Sequence, residues 1–362
     1  MSLTRRSFAS FALSAPLLAQ RKPDPVPPPT EEELATFREY VKFVVAPTTV
    51  TTDDGVFVTD IQPHEFRLLD NGKEQRLRVD VAFQPLDIVV CVQANNTVEP
   101  VLEKIKQIAP LLENLVLGEK GNAAILAFDH RINVLQDFTA DGDLMKKALL
   151  KIRPGSTTSA MNDAVVEASR MLKKRPADRR KVILMIAETR EKQSEATRRQ
   201  ALLDLQFGNV VFYSVNINRL VTSLLTKPQA PRPPAIPAGA RNMPPGALQT
   251  PESINAHTGH YGGNAAPLIG EIFRQGKGMF VDNELELYTK ATGGSERSFL
   301  TYSDLERVIS DIGEELHSQY MLSYSPSNTE KGGFHEIRVE VNRRGLKVRT
   351  RPGYWMAAIP KP

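Results

Sequence analysis

The sequence reads as an α/β protein built on a doubly wound, mostly parallel sheet, with a small β-sandwich module made by strands from its two ends. Three observations predict this. Short, continuous apolar runs at residues 86–92, 123–128, 182–186 and 210–215 have the composition of strands buried on both faces. Amphipathic stretches at helical spacing separate them, so each strand has a crossover to cover it. The flanking regions, 41–83 and 320–350, carry short β-type runs joined by turns and show no helical pattern of their own.

The elements follow in chain order. Thr4-Arg5-Arg6-Ser7-Phe8 precedes an apolar stretch over 8–19 and the polar Gln20-Arg21-Lys22. An Arg pair ahead of about twelve apolar residues, too few to span a bilayer, is the pattern of a twin-arginine export leader over 1–19. An apolar first helix of the folded domain is the rival reading. Cleavage after Ala19 is expected, followed by a spacer over 20–40 that holds Pro23, Pro25, Pro27, Pro28 and Pro29. The expected address is periplasmic or secreted, with no transmembrane anchor once the leader is removed.

A β module begins at 41–84, with runs at 43–52, 56–58, 65–69 and 75–83 and a hairpin turn at Asp70-Asn71-Gly72-Lys73. The α/β domain occupies 85–317. Val101, Ile105, Ile108, Leu112 and Leu115 predict one helix over 98–116, and further helices fall at 141–152, 159–172 and 194–205. A short strand falls at 132–135. Residues 220–282 form a Pro- and Gly-rich insertion, dense in proline from Pro228 to Pro251. Order returns with a helix over 284–292 ended by Gly293-Gly294, a strand at 298–300 and a helix over 304–316. The tail runs 320–324, 336–341 and 346–350 lack helical partners, so the region 318–355 is expected to pair with 41–84.

Composition narrows the function. The chain has 362 residues, 41% of them apolar, and its 46 basic and 42 acidic residues leave only +4. That mixture lacks the concentrated basic face nucleic acid requires. The single cysteine, Cys91, sits inside an apolar run, which suits a buried, inert thiol, and no intramolecular disulfide is possible. His257-Thr258-Gly259-His260 reads as a solvated loop, because no Cys or near carboxylate completes a metal set. Asp129-His130 lacks a Gly-x-Ser-x-Gly elbow and reads as a strand end capped by Asp129. The glycines from 259 to 278 have no phosphate-loop order. The basic run at 173–175 and 179–181 reads as a solvated helix-to-strand loop, with an acidic partner as the alternative.

Several phrases fall in a telling order: Val58-Thr59-Asp60, Glu65-Phe66 and Asp70-Asn71-Gly72; then Ala127-Phe128-Asp129, residues 137–141 (Asp-Phe-Thr-Ala-Asp) and 159–164 (Ser-Ala-Met-Asn-Asp-Ala). Thr292-Gly293-Gly294, Gln319-Tyr320 with Tyr324, and Arg351-Pro352-Gly353-Tyr354 complete the series. In this order the chain resembles the von Willebrand factor A-related family of bacterial exported proteins over nearly its whole mature length. The resemblance implies a metal-ion-dependent adhesion site built from Asp-x-Ser-x-Ser, a Thr and a further Asp, holding Mg²⁺ or Mn²⁺. Here those positions match Gln93, Asn95, Thr97, Ser159 and Glu188, with Thr157 or Thr158 as substitutes for Ser159 if the loop shifts. Only one carboxylate survives, and a hard cation needs oxygen ligands with charge to offset its dehydration. The expectation is therefore a degenerate site with no bound metal or other cofactor, leaving room for weak Mg²⁺ or Mn²⁺ binding.

Two readings of that rim stand side by side. Gln93, Asn95, Asn96, Thr97, Thr157, Thr158, Ser159 and Glu188 line a ligand-binding cleft, or they are a vestige hydrogen-bonded to itself. The sequence points to a non-enzymatic protein-binding chain that uses this loop end on another protein. A metal-dependent A domain with altered ligands, a hydrolytic enzyme and a structural envelope component are the rivals.

Overall fold

The computed structural model describes residues 43–81, 85–113, 118, 120–189, 193–217, 283–299, 301–327 and 333–356; the leader, the spacer, the insertion 220–282 and the two histidines within it lie outside the described residues. β-Branched residues dominate Val44–Thr52 (β1), where Val44, Ala46 and Val50 are buried. Phe66–Asp70 (β2) and Lys73–Glu74 (β3) form the hairpin at Asn71-Gly72, whose positive φ values of 48° and 78° permit a two-residue reversal. The run at 56–58 contributes a single bridge, Phe57 to Thr51, and not a strand, because Gly55 turns the chain at φ 86° just ahead of it. In the run 75–83 the strand starts only at Arg78, as Arg78–Val81 (β4), and it joins a different sheet from β3.

The central sheet is six-stranded. Leu86–Gln93 (β5), Asn122–Phe128 (β6), Ile132–Thr139 (β7), Arg180–Ala187 (β8), Val210–Ile217 (β9) and Glu296–Phe299 (β10) lie in the order β10-β9-β8-β5-β6-β7. Every pairing is parallel except β6 with β7. β5 is buried along its whole length, as the apolar run Ile88 to Val92 requires and with Asp87 and Gln93 buried beside it, whereas β7 is a half-exposed edge that meets β6 through register shifts.

Helices cover both faces. They are Glu99–Ile105 (α1), Ala109–Leu111 (α2), Gly142–Leu150 (α3), Met161–Lys173 (α4), Arg198–Phe207 (α5), Glu284–Thr292 (α6) and Tyr302–Ser318 (α7). Ile88, Val90 and Val92 share one core with α1, α3 and α7; Val89 and Cys91, the alternate positions of the same strand, share the other with α4, α5 and α6. The single helix expected over 98–116 is broken. Pro110 lacks an amide hydrogen and is tolerated only in a first helical turn, so α1 stops at Ile105 and α2 restarts one residue before the proline. The helix expected from residue 194 begins at Arg198, where the Thr197 hydroxyl accepts from Gln200 N. α6 ends at Gly293 (φ 83°), and a Cβ on the next residue, Gly294, would lie 2.0 Å from Phe212 O, so the double glycine lets the chain pass against β9.

Tyr320–Tyr324 (β11), Gly333–Val341 (β12), Leu346–Arg349 (β13) and Gly353–Met356 (β14) complete a β-sandwich with the first strands. One sheet runs β13-β1-β11-β4 and the other β14-β12-β2-β3. Between them Phe66, Leu68, Tyr320, Leu322, Ile337, Val339 and Met356 share a core. Its polar centre is Asp70, which accepts from Tyr324 Oη at 2.9 Å and Tyr354 Oη at 2.7 Å and faces His335 Nδ1 at 2.8 Å.

A buried polar seam ties the sandwich to the α/β domain. Arg180 donates to Leu316 O and, at 2.8 Å, to Gln319 Oε1, while Gln319 Nε2 donates to Thr49 Oγ1 at 3.2 Å. Arg349 reaches Glu315, and Arg351 donates to Val45 O and Asn209 Oδ1. Burial pushes the Arg351 guanidinium down to about 10. The basic run 173–181 is solvated only in part: Lys173, Lys174 and 176–178 are exposed, but the arginines turn inward. Arg175 and Arg179 hold the fully buried Asp87 carboxylate at 2.6 and 2.7 Å, and Arg180 is itself buried, because a carboxylate at the head of a central strand must be paired. Burial pushes the Asp87 carboxyl up, but hydrogen bonds from Arg175, Arg179 and Asn122 more than reverse this and hold it below the usual range.

Candidate functional site

The strand order sets the position of the site. The chain leaves β5 toward β6 on one side and returns to β8 on the other, so the crevice lies where β5 and β8 end. Gln93 is the last residue of β5, and Glu188 directly follows β8. Both are buried.

Hydrogen bonds lock the loops together there. Gln93 Oε1 accepts from Glu188 N at 2.8 Å, which ties the end of β5 to the end of β8. The Thr97 hydroxyl lies 2.8 Å from Asn95 Oδ1 and 3.1 Å from Glu188 Oε2. Residues 155–159 dock from the side, with Gly155 N donating to Ala94 O at 2.7 Å and Asn96 N to Ser156 O at 3.0 Å. Ser159 O in turn accepts from Gln193 N beyond β8. Gln93, Asn95, Asn96, Thr97, Ser159 and Glu188 are therefore brought together in one rim. Thr158 is half-buried with its hydroxyl 3.2 Å from Ser156 Oγ, and Thr157 is exposed on the same loop.

Asp129 has a larger part than capping. Its carboxylate accepts from Arg131 N at 2.7 Å and from Ser156 N at 3.0 Å, and its carbonyl accepts from Ala160 N at 2.7 Å. It therefore fixes both ends of the loop that carries Ser159. Burial raises its carboxyl, but the bonds from Ser156 N and Arg131 N, with the His130 and Arg131 charges, hold it below the usual range. Ser156 escaped the sequence reading; the signal available was Asp129 itself, an acid directly after a fully apolar strand.

The same corner places Ser156 Oγ 2.9 Å and Asp129 Oδ2 3.1 Å from His130 Nδ1. Both contacts use one ring nitrogen. A nucleophile relay needs the acid on one imidazole nitrogen and the hydroxyl on the other, so this cluster has the geometry of a turn.

A divalent cation fits this rim poorly. Gln93 Oε1 is already taken by Glu188 N, the Thr97 hydroxyl is engaged, and one carboxylate stands at the aligned positions. Among the described residues no group of three or more His, Cys, Asp or Glu side chains is placed to hold a metal ion. Three buried atoms of the rim, Asn95 Nδ2, Asn96 Oδ1 and Ser159 Oγ, have no hydrogen-bond partner among the described residues. Cys91 is buried, and burial pushes its thiol up, away from reactivity.

No family model matches the chain, and no curated protein matches it. Solved structures do. The chain is similar to the conserved hypothetical protein BatB from Bacteroides thetaiotaomicron at 14% identity and a TM-score of 0.40, over 64% of this chain and 98% of that one. It is similar to proximal thread matrix protein 1 from the mussel byssus, with a zinc-occupied MIDAS motif, at 11% identity and a TM-score of 0.42, over 68% of this chain and 49% of that one. The SpRpn10 VWA domain shares 13% identity at a TM-score of 0.30, over 39% of this chain and 79% of that one. The central domain has a von Willebrand A-like fold, with five parallel strands and one antiparallel edge, and Gln93 and Glu188 stand at the carboxyl ends of β5 and β8. No helix among the described residues is long and apolar enough to cross a membrane.

Proposed function

We propose that this chain is a non-enzymatic protein-binding protein, exported by its leader to the periplasm or the cell exterior, that engages another protein through the loops following β5, β6 and β8. No tightly held Mg²⁺ or Mn²⁺ takes part. One observation supports this above the others: Gln93 and Glu188, which close the two central strands, bond to each other at the switch point. A cross-link of this kind sets the loop positions in advance, and a surface fixed before binding loses less freedom when a partner docks.

Thermal unfolding with and without Mg²⁺ or Mn²⁺ tests the metal clause. The expected result is no rise in Tm, since a ligand at a hundredfold excess over its Kd adds about 2.7 kcal/mol to stability and moves the transition visibly. A large rise overturns the reading. Partner capture from the envelope fraction of the source cells, with the protein and with a Ser156→Pro variant that cannot donate to Asp129, tests the loops. Equal recovery of the same partner by both places binding elsewhere. Hydrolysis of generic esters, phosphates or peptides by the purified chain, lost on His130→Ala, refutes the non-enzymatic assignment.

A further inference from the structure

A buried cation at the seam has no counter-charge. Arg351, just ahead of β14, is only 4% exposed. Its Nε donates to Gly353 O at 3.0 Å, and its Nη1 donates to Val45 O at 3.2 Å and to Asn209 Oδ1 at 3.4 Å. All three acceptors are neutral, and no carboxylate among the described residues pairs with the guanidinium. Asp70, the acid beyond Tyr354, accepts from Tyr324 and Tyr354 and faces His335 instead. Even with its value pushed down to about 10 by burial, Arg351 keeps its charge at neutral pH. A charge taken out of water without an opposite one is expensive, and this one has no escape through loss of a proton.

The same arginine borders a cavity of about 20 Å³, lined also by Phe43, Gln206, Asn209, Tyr354 and Trp355. Three buried donors of these residues have no hydrogen-bond partner: Arg351 Nη2, Trp355 Nε1 and Gln206 Nε2. The one open acceptor among them is Gln206 Oε1. Gln206 is 5% exposed, so bulk solvent does not satisfy it. Cavities that stay empty are apolar, whereas a polar one of this size holds about one water-sized occupant. Water would meet the donors but bring no charge. The uncompensated guanidinium, and not the number of donors, decides between water and an ion.

We propose that this cavity binds a monatomic monoanion, chloride or bromide, on Arg351 Nη2 with Trp355 Nε1 and Gln206 Nε2 as neutral donors. Val45 belongs to β1, and Asn209 directly precedes β9, so the anion lies where the sandwich meets the amino end of the central sheet. Its binding is therefore linked to the stability of that junction. The rim lies at the opposite end of the sheet, and the anion site stands independently of the loop-end binding proposed above.

Trp355 is the single tryptophan of the chain, so its indole N–H gives one assignable signal beside the proposed ion. Full-length ¹⁵N-labelled protein is titrated by replacing sodium gluconate, whose anion is too large for the cavity, with sodium chloride or sodium bromide at constant ionic strength. The expected result is a saturable shift of the indole N–H with both halides and a higher Tm in chloride than in gluconate. Arg351→Gln, checked for folding by circular dichroism, loses the saturable shift. Gln206→Leu keeps the charge, removes one neutral donor and weakens halide binding by roughly threefold or more. Three results overturn the inference: no saturation with either halide, the outcome for a cavity that holds water alone; the same shift in gluconate, which marks an ionic-strength effect; or an unchanged Kd in Arg351→Gln. If Arg351→Gln does not fold, the Gln206→Leu titration decides, and an unchanged halide Kd is fatal.

Discussion

The two central strands end very differently. At their amino ends β5 and β8 are held by charge: Asp87 is gripped by Arg175 and Arg179, and Arg180 is buried against α7 and Gln319. At their carboxyl ends amides and hydroxyls do the tying, through Gln93, Asn95 and Thr97, and the sole acid of the aligned set is Glu188. At the base the ion pairs, with the Asn122 amide, satisfy the buried Asp87 carboxylate. The rim is closed by amides and hydroxyls for the most part, and Asn95 Nδ2, Asn96 Oδ1 and Ser159 Oγ have no hydrogen-bond partner there among the described residues. The same pair of strands thus has one end that closes on a buried carboxylate and one end, at the switch point, where amides and hydroxyls join the loops.

The base carries the largest expected effect. Asp87→Asn leaves Arg175 and Arg179 without their shared anion, and removal of one member of a buried ion cluster costs about 3–5 kcal/mol by urea unfolding at neutral pH. The pH dependence fixes the sign. Asp87 is held below its ordinary range, so its contribution is present above the unfolded carboxyl value and is lost as pH falls through the lower folded value. The gap between wild type and Asp87→Asn therefore narrows below about pH 4. A gap constant down to pH 2 contradicts the assignment.

Restoring acid at the rim sharpens the contrast. Combining Gln93→Asp, Asn95→Ser and Glu188→Asp rebuilds the ligand pattern that the resemblance implies, and Mg²⁺ then stabilises the variant by about 2.7 kcal/mol at a hundredfold excess over its Kd, while the unaltered protein does not respond. If the variant folds and stays indifferent to Mg²⁺, the loops differ from an ion cradle in more than side chains. The smallest effect belongs to Thr97→Val, which deletes the hydroxyl that reaches Asn95 Oδ1 and the Glu188 carboxylate and costs about 1–2 kcal/mol. A loss approaching that of Asp87→Asn removes the distinction between the two ends.

Much of the fold was legible in the residues. Apolar runs without alternation located β5, β6, β8 and β9, and Asn71-Gly72 located a hairpin, because these signals are local. Non-local competition was not visible. Nothing in the sequence around 75–83 says that β3 and β4 serve different sheets, and the break between α1 and α2 depends on how strongly Pro110 outweighs a good apolar stripe. The basic run 173–181 misled for a related reason: its counter-charge, Asp87, is 88 residues from Arg175. At the rim the residues were found by their order, yet their bonding was not, since the choice of Gln93 to accept from Glu188 N needs the two strands side by side.

The sandwich joins residues far apart in synthesis. Ile61 N donates to the Tyr320 hydroxyl across 259 positions, and β1 finds both of its neighbours, β11 and β13, only in the last part of the sequence. The A-like domain therefore sits between two halves of another module, as a long insertion. A ribosome must have nearly finished the chain before β1 has either of its neighbouring strands to pair with, and such long-range closure is slow. Any nascent form that lacks its tail leaves β1 and β2 without the strands β11, β12 and β13 that pair with them, and their apolar faces stay exposed until those strands arrive.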